Sequence, residues 1–497
     1  MKHLFLNLFL FLVIFNLNAQ NLKKLSQSQN LKAITELTNF VSYPNDALNS
    51  KDMSKNTDWL SQAFTDRKFD TKILKTTRSP LFFAERYFKN AKKTVLFYMH
   101  FDGQSVDTPK WHQKHPFKLV VKEKKETDYK TLEWNNANLN NPNNRLFGRS
   151  VADDKGPIVM LLNAIDILDT NFKGKSNINI KVILDGEEEQ GSKHLAAAVL
   201  KYKSLLQADL MVIDDGPMHL SNKPTLIFGC RGITSLILTT YGPRTPQHSG
   251  HYGNYAPNPV FAMARLLNSF KDIDGRVKIP GYYDGITIDD ATRKILKSVP
   301  DDAALINKTI GVAQPEKVGH FYQESLQYPS LNVRGMQSAW IGNQTRTIVP
   351  DKAVASIDIR LVPESDPKRL QNLVRKYITQ QGFYVIDHNP TEKERLTHSN
   401  IVKFEAGKAT LPFRTPVNSK AGQWVINAMQ KGLKQTPIKV RIMGGTVPIS
   451  PFINALKIPA VIVPLVNADN NQHSPNENLK IANISNGIQT FLALMTY

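Results

Sequence analysis

One cysteine, Cys230, stands in a chain of 497 residues. No intrachain disulfide can form, so a chain exported from the cell would rely on its core or on bound metal for stability. Past the N-terminal segment no apolar run is long enough to span a membrane. Internal repeats and low-complexity tracts are also lacking, which excludes solenoid and array architectures. Acidic residues are outnumbered, with 43 Asp and Glu against 63 Lys and Arg, for a net charge of +20. Anionic partners therefore have to be considered. The basic residues are scattered, however: the run "KEKK" at Lys122 to Lys125 is short, and no Arg-Gly segment interleaves with aromatics. No nucleic-acid partner is expected, and the excess charge reads as a solvated basic surface.

The chain is long enough, and at 41% hydrophobic apolar enough, for more than one core, so two domains are expected. It opens "MKHLFLNLFLFLVIFNLNAQ", with a cationic start, an apolar stretch from Leu4 to Leu17 and a small residue at Ala19. This pattern predicts a signal peptide over 1–19 and export to the periplasm or the medium, with no stable membrane span after cleavage; an uncleaved anchor is the alternative, since Leu17 is large for its place before the cut.

Four segments read as buried strands with polar ends: "TVLFYMHFDG" from Thr94, "NINIKVILDGEEE" from Asn177, "ADLMVIDDGP" from Ala208 and "IPAVIVPLVNADNNQH" from Ile458. A helix-period stretch between the first two begins at Gly156 and Pro157. Strand alternating with helix predicts an α/β fold, a mostly parallel sheet with helices on both faces. From Cys230 to Thr410 the pattern changes to alternating strands plus the helical "DPKRLQNLVRKYITQQG" from Asp366. A smaller α+β domain is thus expected over 230–410, inserted between sheet segments 20–229 and 411–497. The Asn-rich "NNANLNNPNNR" reads as a loop.

In such sheets ligands gather beyond the carboxyl ends of the strands, and each of the four runs carries His, Asp or Glu there. His100 and Asp102, two apart, can meet the same object. Singly, each group has a plain structural account. Asp153 and Asp154 could cap the helix that follows, Asp214 and Asp215 could make an Asp-Gly turn, and His473 could be a surface-loop histidine. Together they form a nitrogen and oxygen set suited to two zinc ions, with a carboxylate able to bridge them. Adjacent glutamates in "GEEEQGS" can supply both a ligand and an unligated general base.

With these residues in place, the sequence resembles the co-catalytic zinc peptidases of the aminoacylase and glutamate carboxypeptidase family, and within it the carnosinase-like dipeptidases. The motifs, in the family's order, are "HFD", "GRSVADDKGP", "GEEEQGS", "VIDDGP", "GPRTPQHSGHYGN", "TIVPDKAVASIDIRLVP", "MGGTVPIS" and "HSPNENL". The resemblance implies His100 and Glu189 as ligands that differ in the zinc they serve from Asp215 and His473, with Asp153 bridging. It further implies Asp102 orienting His100, and Glu188 as general base and then proton donor. Glu187 is left over, solvated or lightly paired. In the inserted domain, a lid and dimerisation domain in this family, it implies that His248 reaches the partner subunit's active site and stabilises the oxyanion. Arg360 would clamp a substrate carboxylate, and Thr347, Thr446 and the backbone at Gly445 match substrate-contacting positions. The implied activity is hydrolysis of short peptides with a free C-terminal carboxylate by a homodimer holding two Zn2+ per subunit, with Mn2+ accepted by the same ligands. An N-acyl amino acid deacylase and a non-catalytic peptide-binding homologue are the alternatives. A related di-zinc aminopeptidase fits less well, because it lacks the inserted domain. Departures from the family pattern are Phe101 and "GQSVD" after His100, Ser150 in "GRS", and "TPQHSG" ahead of His248.

Overall fold

The computed structural model describes residues 21–126 and 128–497; the signal segment expected over 1–19 lies outside the described residues. The chain divides into two compact units, one of Met1–Phe228, Thr415–Arg441 and Pro451–Tyr497, the other of Gly229–Arg414 and Ile442–Ser450. Composition alone leaves Ile442–Ser450 with the sheet. Its place in the second unit is fixed by backbone hydrogen bonds from Arg231 N–H to Met443 O (3.1 Å) and from Met443 N–H to Gly229 O (2.9 Å).

The first unit is built on an eight-stranded sheet. At its centre Ile178–Asp185, Lys93–His100, Leu210–Ile213 and Ala460–Ile462 lie side by side and parallel, so their carboxyl ends share one edge. Antiparallel strands Asp70–Leu74 and Leu81–Arg86 extend one side. Thr225–Ile227 and Ile438–Val440 extend the other. Alternation along Lys93–His100 gives the sheet two apolar faces. Val95, Phe97 and Met99 enter the core formed with helices Asn30–Val41, Lys155–Asn171, Lys420–Leu433 and Ile481–Thr496. Tyr98 turns the other way and meets Phe452 at 5.6 Å between ring centroids. The fold is the expected α/β architecture.

Two local expectations differ. The run from Ile458 yields a strand of only Ala460–Ile462, because Pro459 and Pro464 on either side cannot donate to a ladder. The Asn-rich stretch contains a short helix, Asn136–Asn140, whose N-terminus is capped by the Asn135 side chain accepting from Asn138 N–H. It leads into a four-stranded antiparallel sheet in the order Asn478–Lys480, Arg145–Phe147, Val120–Lys124, Tyr129–Thr131. That small sheet sets two distant loops beside each other, the one after Phe147 and the one before Asn478.

In the second unit a five-stranded sheet runs in the order Asn332–Gln337, Lys352–Leu361, Gly232–Tyr241, Ile401–Ala406, Tyr384–Ile386. Lys352–Leu361 alternates buried and half-buried residues along most of its length, as a strand with one covered face should. Helices Pro259–Phe270 and Pro367–Gln380 supply the covering side chains. The second starts where Asp366 accepts from Arg369 N–H with Pro367 at its first position. Among the described residues no helix is long and apolar enough to cross a membrane.

Candidate active site

The shared carboxyl edge of the central strands carries the acidic and histidine residues picked out above. His100 ends its strand fully buried; its Nε2 lies 2.8 Å from Asp153 Oδ1, and its Nδ1 lies 3.3 Å from Asp102 Oδ1. His473 Nε2 lies 3.2 Å from Asp153 Oδ2 and 3.3 Å from Glu189 Oε2. Two donor groups result, His100 with Asp153 and Asp215, and Asp153 with Glu189 and His473, the ligand atoms of each lying within 4.8 Å of one another. Asp153 belongs to both. The partition differs from the one the resemblance suggested: Asp215 groups with His100, and Glu189 with His473. Mixed imidazole and carboxylate donors suit zinc or manganese, and a carboxylate with one oxygen toward each group suits a bridge.

The capping account of the Asp pair does not hold. Neither carboxylate caps helix Lys155–Asn171. Asp154, joined to Asp153 by a cis peptide bond, instead accepts the backbone N–H of His100 at 3.2 Å.

The three adjacent glutamates have unequal surroundings. Glu187 is buried, not solvated: its Oε2 lies 2.8 Å from His194 Nδ1 and its Oε1 lies 3.7 Å from Arg78. Glu189 lies in the second donor group and accepts from Gln104 Nε2 at 2.8 Å. Glu188 lies in neither group, and among the described residues its carboxylate accepts no hydrogen bond. Its place is set through the backbone. Asp102 accepts from Glu188 N–H at 3.1 Å with one oxygen and from Glu189 N–H at 3.0 Å with the other. Asp102 therefore fixes both the His100 ring and the glutamate turn.

Sequence reasoning missed Glu477. It is fully buried, and its Oε2 accepts from Arg149 Nη1 (2.9 Å) and Ser150 N–H (2.8 Å), while its Oε1 accepts from Ala152 N–H (2.9 Å) and Asp153 N–H (3.0 Å). One carboxylate thus clasps the whole loop that presents Asp153. The only available signal was an acidic residue in the same motif as His473. Gln104 and Gln472 were missed as well; Gln472 Nε2 lies 3.3 Å from Asp153 Oδ2. Removing one partner of a buried ion pair strands the other charge. Glu477→Ala is expected to lower unfolding free energy by about 3 to 5 kcal/mol in urea denaturation, through the stranded Arg149. A loss below ~1 kcal/mol would show that the clasp does not hold the loop.

Charge crowding makes metal-free stability depend on pH. Burial first, and neighbouring carboxylates second, push Asp185 up to about 6 and Glu189 to about 7; burial also pushes Asp215 up to about 6, against the pull of His100. Burial pushes Glu477 up to about 7 against the pull of Arg149. Each of these folded-state values lies above the unfolded carboxylate range. The folded chain therefore holds more protons between about pH 4 and pH 7, and the associated stability is lost as pH rises through 6 to 7. His473, raised to about 9 chiefly by its hydrogen bond to Asp153, acts in the same direction, present below its unfolded value and lost as pH rises through 9. In chelator the unfolding temperature should fall from pH 5 to pH 8, and zinc should restore it most at pH 8. A flat profile in chelator would contradict the crowding account.

In the second unit the remaining candidates fall into two sets. His248 pairs with Ile348 across short strands, and Ser249 N–H donates to Thr347 O at 2.9 Å, which places His248 and Thr347 together on an exposed surface. Arg360 Nη1 donates to Thr446 Oγ1 at 2.8 Å, with Gly445 adjacent in the chain, so these three form the other set.

A sequence model of the peptidase family M20/M25/M40 matches residues 96–497. The chain belongs to this family. Among M20 relatives, it is 27% identical over 415 residues to a Cys-Gly metallodipeptidase, DUG1, of Candida albicans, covering 82% of this chain and 79% of that protein. It is 28% identical over 426 residues to a Beta-Ala-His dipeptidase of Mus musculus, covering 83% and 79%. Of solved structures, an M20 family metallo-carboxypeptidase from Sulfolobus solfataricus, Sso-CP2, superposes with a TM-score of 0.74 at 26% identity, covering 93% of this chain and 98% of that one. Membership makes the protein a peptidase, and the donor groups around Asp153 give this M20 chain a possible metal centre. The departure at Ser150 has a local account in this M20 chain. Its φ of +63° is a conformation that favours glycine, and here Ser150 Oγ accepts a hydrogen bond from Asn45 Nδ2 at 3.0 Å.

Proposed function

We propose that the protein is an exported di-zinc dipeptidase that cleaves dipeptides and other short peptides bearing a free C-terminal carboxylate. One observation carries this reading: Asp153 belongs to two donor groups, while the Glu188 carboxylate belongs to neither. His100, Asp153 and Asp215 would hold one ion, and Asp153, Glu189 and His473 the other; manganese fits the same donors. Bound ions would supply Lewis-acid polarisation of the scissile carbonyl and lower the pKa of the attacking water.

The protein's own groups do the rest. Glu188 takes the proton of the attacking water and passes it to the departing amine nitrogen. Burial holds the Glu188 carboxyl of the metal-free chain well above its ordinary range, which strengthens its affinity for the water's proton. Asp102 keeps His100 and the Glu188 turn in register through the contacts described above. Arg360, steadied by Thr446, offers a planar fork to the substrate carboxylate. The named activities of the Candida albicans and mouse relatives support a dipeptide substrate.

A homodimer is part of the proposal. Strand Asn332–Gln337 is exposed along its whole length at the edge of the second unit's sheet, with Val333, Met336, Trp340 and Ile341 presented there. An uncovered apolar sheet edge invites pairing with a second copy. His248 would act across that interface on the oxyanion. Mixing His248→Ala with Glu188→Ala protein should then restore part of the activity in heterodimers. Mixed dimers that form and stay inactive would count against the shared site.

Export rests on the Met1–Ala19 pattern and is tested by fractionation with N-terminal sequencing of the mature chain. The activity itself is tested by a panel of dipeptides, their C-terminal amides and N-acyl amino acids with zinc or manganese. Release of amino acids from free-acid dipeptides is expected. Turnover of N-acyl amino acids alone would favour a deacylase, and no turnover would favour a binding protein.

A further inference from the structure

Arg231 opens the second unit just after strand Gly229–Cys230, and its side chain is buried, with 7% of the residue exposed. Its Nη2 donates to Tyr328 O at 2.8 Å, and its Nε–H has no acceptor. Among the described residues no carboxylate pairs with it. Burial, and then the like charge of Arg360, push it down to about 10. Asp358 acts on it only from beyond ion-pair distance, and a buried guanidinium with no ion pair of its own is costly for a fold to keep.

The same residue lines a cavity of about 230 Å³, with Tyr283, Ser325 and Ser330 on the walls. Lys271 also lines it but is already matched, since both Glu316 oxygens lie 2.9 Å from its Nζ. Among the described residues Arg231 is thus the cavity's cation without an ion pair. Ser330 ties this wall to the Arg360 strand: its Oγ accepts from Arg360 N–H at 3.2 Å, and its N–H donates to Arg360 O at 3.1 Å. The volume is below the ~300 Å³ at which drug-sized ligand pockets begin, so a small group fits and a whole peptide does not.

We infer that Arg231 and this cavity form a carboxylate subsite, the buried guanidinium awaiting an anion that a ligand supplies. Two sources share that chemistry, the C-terminal carboxylate of a peptide substrate and a free small carboxylate. The first rests on the dipeptidase reading above and makes Arg231 a second cation, beside Arg360, for that carboxylate; the second does not.

The test uses metal-loaded wild type, Arg231→Met and Arg231→Lys, with acetate and acetamide as probes at constant ionic strength. Acetate should raise the wild-type unfolding temperature, acetamide should not, and Arg231→Met should lose the acetate response. In the same proteins kcat/KM is compared between a dipeptide and its C-terminal amide. If the substrate carboxylate is the occupant, the preference for the free acid should fall roughly tenfold to a hundredfold in Arg231→Met, the range of a hydrogen bond to a charged group. Arg231→Lys should fall between. An unchanged preference with a lost acetate response assigns the subsite to free carboxylates. Wild type that ignores acetate, with both variants keeping the wild-type preference, overturns the inference. If wild type cleaves no dipeptide, the dipeptidase reading fails and the acetate arm alone decides. If Arg231→Met does not fold, Arg231→Lys and the contrast between acetate and acetamide on wild type decide.

Discussion

Glu188→Gln protein is expected to take up metal as wild type does and to hydrolyse dipeptides about a thousandfold more slowly, in line with the 10²- to 10⁴-fold contribution of a positioned acid and base. The hydrogen bonds that set this residue in place run through its backbone, from Glu188 N–H to Asp102 and from Gly191 N–H to Glu188 O, and so survive the substitution. The carboxylate itself accepts nothing among the described residues and stands outside both donor groups, so the amide disturbs no ligand. Glu189→Gln one residue on should behave differently, since its Oε2 faces His473 and Gln104. It should lose metal together with activity. Metal analysis beside steady-state kinetics separates the two. Near-normal turnover by Glu188→Gln would remove it as the base.

Asp153→Ala is expected to abolish high-affinity binding of both ions, whereas Asp215→Ala or His473→Ala should spare one. The asymmetry follows from the two oxygens of Asp153, one toward His100 and the other toward His473. Burial works against ionisation of Asp153, but hydrogen bonds from His100 and His473 outweigh it and hold the carboxyl below its ordinary range. It is therefore ionised and ready to bridge. Isothermal titration of zinc into chelator-treated variants reads the number of sites directly. One ion retained by Asp153→Ala would mean that the two groups do not depend on a common ligand.

The four central strands were legible because each is a short apolar run ending in a polar residue, and the parallel order then brings His100, Asp153, Glu189 and Asp215 to one edge. His473 was legible as the end of the fourth run, although the strand there is cut short to Ala460–Ile462 by Pro459 and Pro464. Glu477 and the four-stranded antiparallel sheet were not legible. The Glu477 clasp and the pairing of Asn478–Lys480 with Arg145–Phe147 join residues more than 300 positions apart, and local periodicity carries no trace of that. Glu187, expected to be solvated or lightly paired, is buried and paired, with the nearby His194 and with Arg78 from a distant part of the chain. Arg231 gave no sequence signal, because an arginine without a counter-ion is recognised only once its surroundings are known.

The central claim, a peptidase working through two ions that share Asp153, is tested most directly by following dipeptide hydrolysis while zinc is titrated into the metal-free protein. The account predicts that turnover rises to a plateau at two ions per chain and that Asp153→Ala stays inactive at every loading. Full activity at one ion per chain, or activity recovered by Asp153→Ala, would contradict it.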